Sequence, residues 1–345
     1  MNEVLLSVED LYVRFRTYAG VVHAVNGMTF DVRQGEIFGL VGETGCGKTV
    51  TGFAVLRMVP SPGEIVRGRI NFRGEDLLQK SETEMQSVRG GRIAMIFQDP
   101  STSLNPVFSI GSQVTRVIRQ HVSVGQEEAR QRALEMFEAV GLPDPAGVLR
   151  AYPHELSGGM QQRAMIALAL SSGAELLIAD EPTTALDVTI QAQILALLTE
   201  LQEKQGVSIL LITHDLAVVA ETCHRVGVAY AGDIVEMGEV NDVLQRMKHP
   251  YTQGLLAALP RPTQRGRSLQ SIEGSVPDGV HLPPGCPFHP RCPQVMDICR
   301  MEKPPLFSVP PSAPSLASPP LSPPQAGGRK GGVVACYLYG QENAA

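Results

Sequence analysis

Gly42-Glu-Thr-Gly-Cys-Gly-Lys-Thr49 is the stretch on which the fold turns. It fits G-x-x-x-x-G-K-[ST], and it stands between an apolar strand, Ile37 to Val41, and a helical segment, Val50 to Met58, the context that a phosphate loop requires. Glycines let the backbone curl so that several N–H groups point inward at phosphates. The helix that follows turns its positive end toward the anion. In such a loop Lys48 reaches the β- and γ-phosphates and the Thr49 hydroxyl ligates Mg2+. A glycine-rich turn without a ligand is the bland alternative, and the strand and helix on either side argue against it. Gly42, Glu43, Thr44, Gly45, Cys46, Gly47, Lys48 and Thr49 are therefore the expected cradle for ATP. Cys46 could be a reactive thiol, because a helix N-terminus lowers thiol pKa; a small residue tolerated where serine would also fit is the simpler reading.

A second segment completes the chemistry. Leu176-Leu-Ile-Ala-Asp-Glu181 is an apolar strand ending in two acids. Asp180 is placed to hold Mg2+ through water, and Glu181 to polarise an attacking water. Two acids closing a strand also occur as a solvated turn or a helix cap, but beside a phosphate loop the catalytic reading is the stronger one.

Outward from these segments, short β-rich runs alternate with helical stretches up to about residue 240. Strands are expected at Ile37–Val41, Arg92–Phe97, Leu176–Ala179 and Ser208–Thr213, with helices such as Glu127–Val140 and Gln161–Ser171 between them. Buried strands alternating with helices imply an α/β domain with a mainly parallel sheet. Leu5 to Val32 reads as several short strands in an antiparallel layer beside that sheet, and residues from about 99 to 163 as an inserted helical subdomain. The nucleotide-binding domain is expected to run over 1–260. Beyond it, 261–345 is rich in Pro, Cys and turn residues, with a Pro/Ser tract from about 303 to 332 expected to be disordered or extended.

The bulk properties exclude several classes. With 345 residues and 43% hydrophobic content the chain can build a full core and an appendage. A net charge of −6 argues against nucleic acid as the main partner. No run approaches the roughly 20 apolar residues that span a bilayer, and MNEVLLSVED does not read as a signal peptide. A cytoplasmic protein is expected, whose six cysteines are thiols or metal ligands rather than disulfides.

Leu156-Ser-Gly-Gly-Met-Gln-Gln-Arg163 exposes a hydroxyl and backbone N–H groups at the start of a helix, a second phosphate-binding surface. Here the sequence resembles the ATP-binding cassette (ABC) family of P-loop NTPases, with this segment similar to its signature motif. Gln98 of Phe97-Gln-Asp-Pro100 resembles the Q-loop, Ala185-Leu-Asp187 the D-loop, and His214 of Ile212-Thr-His-Asp215 the H-loop. The resemblance implies that Gln98 senses the γ-phosphate and joins Thr49 and Asp180 around Mg2+, and that His214 orients the water beside Glu181. Phe15 would stack on adenine, with Tyr12 and Tyr18 as alternatives. It also implies that two cassettes pair head to tail, so that Ser157, Gly158, Gly159 and Gln161 of one chain, with Asp187, close over the ATP of the other.

Gln98-Asp-Pro-Ser-Thr-Ser-Leu-Asn-Pro106, Tyr152-Pro-His-Glu155, Ala185 to Gln193 and His249-Pro-Tyr251 resemble the ATPases of oligopeptide, dipeptide and nickel importers. That likeness spans about residue 5 to 300 and resumes at Ala335-Cys-Tyr-Leu338. Val228 to Gly232 and Leu282 to Cys299 are more similar to the D-type subunit than to its F-type partner. The implied assembly is a pair with an F-type ATPase on the cytoplasmic face of the membrane, beneath two permease subunits fed by an outside solute-binding protein. The implied docking region for the permeases includes the stretch after Gln98, where Phe108, Ile110 and Val114 are more readily core than contact.

Cys286, Cys292 and Cys299 are spaced C-x5-C-x6-C, with Cys336 beyond the Pro-rich tract. Four thiolates suit a soft metal or an iron–sulfur centre, and the absence of C-x-x-C pairs argues against structural zinc. By resemblance the set is similar to the ligands of a 4Fe–4S cluster; zinc, another metal and plain structural thiols remain the alternatives, and His289 is a reserve ligand. The long insertion before Cys336 departs from the family pattern. Cys223 reads as a small buried hydrophobe. A soluble ABC ATPase acting on ribosomes or DNA is the competing function, and an exporter ATPase a third. The single cassette, the lack of basic excess and the His249-Pro-Tyr251 tail favour transport, and the resemblance to peptide importers argues against export.

Overall fold

The computed structural model describes residues 3–98, 103–184, 186–258, 272–310 and 331–340. Its strands are β1 (Val4–Thr17), β2 (Gly20–Arg33), β3 (Ile37–Val41), β4 (Gly63–Phe72), β5 (Glu75–Asp76), β6 (Ile93–Ile96), β7 (Leu176–Asp180), β8 (Ser208–Thr213), β9 (Arg225–Tyr230), β10 (Asp233–Glu239), β11 (Phe307–Val309) and β12 (Gly332–Val334). They form an antiparallel four-stranded sheet, β2-β1-β4-β5, and an eight-stranded sheet, β11-β12-β10-β9-β3-β8-β7-β6.

β3 lies at the centre of the larger sheet, parallel to both β8 and β9, and β7 and β6 continue the parallel run on the β8 side. Along these strands alternate residues face opposite layers. Ile37, Leu177, Ala179, Ile209 and Leu211 join one core with the helices, including Ile118, Phe137 and Ile166. Phe38, Leu40, Leu176, Ile178, Leu210 and Ile212 join the other with the antiparallel sheet, including Leu6, Val25 and Phe72. Because both faces are covered, β3 and β8 read as unbroken apolar runs, and every residue of each is buried.

Helices Ile110–His121, Gln126–Ala139, Pro145–Val148 and Gly158–Leu170 fall between β6 and β7 in sequence. They share a continuous core with the sheet. Ile110 and Val114 are buried in it, as expected, while Phe108 is exposed beneath Arg116.

Two expectations change. The opening segment is two long strands of 14 residues each, not several short ones. Register shifts between Val8 and Leu11 and between Val13 and Arg14 break the alternation and disguise one bulged strand as several. The Pro-rich tract is likewise framed by structure: β11 and β12 pair at its two ends, and β12 pairs with β10 at the edge of the main sheet. Residues 311–330 of the tract lie outside the described residues.

Candidate functional site

Because β6, β7, β8 and β3 are parallel neighbours, their carboxyl ends open on one side of the sheet, the place where α/β sheets bind ligands. Gln98 follows β6, Asp180 and Glu181 end β7, His214 follows β8, and the glycine loop follows β3. The cleft there has a volume of about 440 Å3, within the range of small-molecule sites. Thr44, Gly45, Gly47, Lys48, Thr49, Gln98, Glu181 and His214 line it, together with Ala24, Val50 and Thr184. Gly47 caps the helix Lys48–Val55 with φ of 95°, and a Cβ there would stand 2.3 Å from the Ala24 carbonyl oxygen, so only glycine closes the loop against β2.

Inside the cleft the polar groups converge. Thr49 Oγ1 donates to Asp180 Oδ1 at 3.0 Å. The Glu181 carboxylate meets His214 Nδ1 at 3.0 Å, accepts from Thr184 Oγ1 at 2.9 Å and from Gln98 Nε2 at 3.3 Å. Glu181 adopts φ of 47°, a conformation that costs a residue with a side chain and that persists where the surroundings over-determine it. Burial pushes its carboxyl upward, but the bonds from His214 and Thr184 outweigh it and hold the group below the usual glutamate range. Asp180 goes the other way: burial, aided by the Glu181 charge, pushes it up to about 6 against the Thr49 bond. Lys48 Nζ is bound to the carbonyls of Gly42 and Glu43, at 2.7 and 3.1 Å. Hydroxyl, carboxylate and amide oxygen on Thr49, Asp180 and Gln98 are the hard donors that Mg2+ takes, so the residues fit that ion.

The remaining expected residues lie elsewhere. Phe15 is partly buried against the core of the antiparallel sheet and does not line the cleft; Tyr18 is fully exposed, and Tyr12 lies under Arg67. Ser157 caps the helix Gly158–Leu170, accepting from Met160 N, and Ser157, Gly158 and Asp187 are exposed. Gln161 turns back to hold the carbonyls of Pro153 and Leu156. None of these lines the cleft of its own chain. Gly158 lies against Leu186 and Gly159 against Ile190, so the signature turn and the segment carrying Asp187 share one surface. Cys46 is fully buried and its thiol is raised by burial, against the pull of Lys48, so the reactive reading fails. Ala24, Val50 and Thr184 escaped the sequence reading; Thr184, in Glu181-Pro-Thr-Thr184, could have been found as a hydroxyl three residues beyond the acid.

Cys286, Cys292, Cys299 and Cys336 line a second, small pocket with His249, Phe288 and His289. The β11–β12 pair returns the chain across the Pro-rich tract and delivers Cys336, which removes the objection raised by the insertion. Burial, and then the charges of the neighbouring thiols, push Cys286 and Cys336 up to about 11. An all-thiol donor set suits a soft metal. The geometry does not: the space between the side chains is about 10 Å3, that of one water, and no group of three or more His, Cys, Asp or Glu among the described residues is arranged to hold a metal. The expected 4Fe–4S cluster is thus unsupported as the thiols stand. His289 Nδ1 is directed at the Cys286 carbonyl, 3.0 Å away. Cys223 is buried against Gly39, as a small hydrophobe would be.

Comparisons with known proteins agree with this geometry. Residues 25–184 match the ABC transporter family model, and residues 235–299 match the oligopeptide/dipeptide transporter C-terminal region. The chain is 49% identical to the dipeptide transport ATP-binding protein DppD of Bacillus subtilis, over 86% of this chain and 89% of that one. It is 48% identical to DppD of Escherichia coli, over 88% and 92%. To the oligopeptide transport ATP-binding protein OppD of Bacillus subtilis it is 50% identical, over 88% and 86%. Among solved structures, cbiO1 from Clostridium perfringens, part of the ABC transporter complex cbiONQ, matches at 27% identity with a TM-score of 0.62, over 71% of this chain and 92% of that one. A dimeric bacterial ABC transporter cassette shares the fold at 24% identity, with a TM-score of 0.61 over 68% and 98%. The two domain matches, the identities and the composition of the cleft agree: this chain belongs to the ABC transporter family, among the dipeptide and oligopeptide transport ATP-binding proteins.

Proposed function

We propose that the chain hydrolyses ATP to drive uptake of oligopeptides or dipeptides across the cytoplasmic membrane. The convergence of Gln98, Thr184 and His214 on Glu181, beside the Thr49–Asp180 pair and the glycine loop, carries the catalytic part of this reading. The names of the relatives supply the cargo class.

In the proposed mechanism the loop amides and Lys48 hold the β- and γ-phosphates. Thr49, Asp180 and Gln98 would hold Mg2+, which would supply charge neutralisation to the phosphates. Glu181, kept ionised, orients and polarises the attacking water; His214 holds that carboxylate and faces the γ-phosphate. The positive φ of Glu181 aims the side chain into the cleft rather than along the strand. Phe15, near the end of β1, is retained as the adenine-stacking residue. Ser157, Gly158, Gly159, Gln161 and Asp187 present the second phosphate-binding surface to a partner cassette, a role supported by the exposure of Ser157, Gly158 and Asp187.

The assembly we infer pairs this chain with a second, F-type ATPase beneath two permease subunits, supplied by an extracytoplasmic solute-binding protein. Its place is peripheral, on the cytoplasmic face; no helix among the described residues is long and apolar enough to cross a membrane. The division into a nucleotide-binding domain to residue 260 and an extension beyond it belongs to the same proposal. A 4Fe–4S cluster in the cysteine pocket is retained as a proposal, supported by the shared pocket and the thiol donors alone. About four irons per chain in anaerobically purified protein would bear it out, and iron-free protein would remove it. For transport, cells expressing the chain with its permease and binding proteins should accumulate labelled dipeptide. Unchanged uptake on replacing the chain by its Glu181→Gln variant would refute the function.

A further inference from the structure

The cysteine pocket and the phosphate loop are linked through a cluster of aromatic rings. Phe288 lines the pocket and packs on Tyr230 and Tyr251, with ring centroids 5.3 and 5.4 Å apart. Tyr251, from the His-Pro-Tyr segment, accepts the backbone N–H of Glu43 on its hydroxyl at 2.9 Å. Arg291, which directly precedes Cys292, grips the Glu43 carboxylate with both terminal nitrogens, at 2.8 and 3.1 Å. The grip is built: the Arg291 side chain is 5% exposed against 27% for Glu43. Its Nε donates to the Glu273 carbonyl at 3.1 Å, and its guanidinium lies over the rings of Tyr230 and Phe288.

Glu43 is thereby held at every polar group: carboxylate by Arg291, N–H by Tyr251, and carbonyl by Lys48 Nζ at 3.1 Å. Lys48 is the one loop side chain that carries positive charge, and its partners are the carbonyls of Gly42 and Glu43 and, at 3.6 Å, Cys46 Sγ. Fixing Glu43 therefore fixes one of the two carbonyls that hold that ammonium. A second brace acts on the opposite wall, where His23 N donates to the Gly279 carbonyl at 2.7 Å, one residue from the cleft-lining Ala24.

We propose that Arg291 is a positioning residue for the phosphate loop: through Glu43 it sets where Lys48 stands, so that the C-terminal extension governs affinity for the polyphosphate. The inference rests on the reading of Gly42–Thr49 as the ATP cradle. A surface pair of this kind would contribute little. A partly buried bidentate one, removed from one end, leaves the other charge without its partner.

The test uses the full chain with fluorescent ATP and AMP analogues in Mg2+. Arg291→Gln and Glu43→Gln should each weaken the ATP analogue by about five- to tenfold, and the double variant should be no weaker than the worse single one. Binding of the AMP analogue should not change, since Lys48 serves the outer phosphates. Arg291→Gln should add nothing on top of Lys48→Ala. Unaltered ATP affinity in both single variants, equal losses for ATP and AMP, or full additivity with Lys48→Ala would each overturn the proposal. Should Arg291→Gln fail to fold, Glu43→Gln removes the same pair from the loop side and decides alone. If Lys48→Ala binds the ATP analogue like the wild type, it is the cradle reading that falls, not the brace.

Discussion

The phosphate cleft and the cysteine pocket are both assembled from residues far apart in the chain, yet only the first is arranged for a ligand. The cleft takes its polar groups from the ends of parallel strands spaced about 4.8 Å apart. Their backbone positions are fixed by a sheet buried on both faces, so Thr49 meets Asp180 and Glu181 meets His214 at hydrogen-bond distance. The pocket takes its thiols from short turns, a five-residue helix and the segment after β12. They line one small pocket, but no group of three or more among the described residues is arranged to hold a metal. Regular structure can pre-organise a site; an irregular extension can only collect donors, and the geometry then depends on what fills the space.

If that contrast holds, the cleft should be intolerant of a single added methyl. Gly47→Ala, with its Cβ directed at the Ala24 carbonyl and a φ of 95°, is expected to cut nucleotide affinity by roughly a hundredfold in a fluorescent-nucleotide titration. Wild-type affinity would mean the loop is looser than described. The extension, in turn, should depend on its aromatic core more than on its thiols. Phe288→Ala removes a fully buried ring in contact with Tyr230, Tyr251 and His249, and should lower stability by about 3–5 kcal/mol in denaturant titrations. Cys292→Ser, at a half-buried position, should cost far less; equal losses would erase the distinction.

A smaller effect probes the scaffold of the cleft. His224 Nδ1 accepts the N–H of Ile37 at 2.9 Å, at the start of the strand that leads into the loop. Burial depresses the His224 pKa below its ordinary value. The unfolded chain binds a proton there near pH 6.5 that the folded chain resists, so this contribution is present above that pH and is lost as pH falls below it. Thermal melts between pH 7.5 and 5.5 should show a steeper decline for the wild type than for His224→Gln, and identical slopes would exclude the role.

These regions also differ in how far the sequence reveals them. The glycine loop and the acids ending β7 are legible because a local pattern, apolar run then polar group, encodes both the strand and what stands at its end; His214 is reached through its resemblance to the H-loop. Thr184, Ala24 and Val50 are not legible, since small or apolar residues lining a cleft carry no signature. The bulges in β1 hid a 14-residue strand by breaking its alternation. The Arg291–Glu43 pair spans 248 residues, and no local pattern announces it. The strands framing the Pro-rich tract are three residues each, too short for a periodic signal. Phe15 rests on resemblance alone; it is partly buried against the core of the antiparallel sheet and does not line the cleft.

The central claim is that Glu181, held by His214, Thr184 and Gln98, is the group that turns nucleotide binding into hydrolysis. Measuring ATP turnover and ATP binding on the same preparation of the Glu181→Gln variant tests it most directly. Binding within about twofold of the wild type with turnover reduced by about a hundredfold or more is the expected result, on the scale of losing one pre-organised catalytic group. Turnover at the wild-type rate, with binding intact, would contradict it.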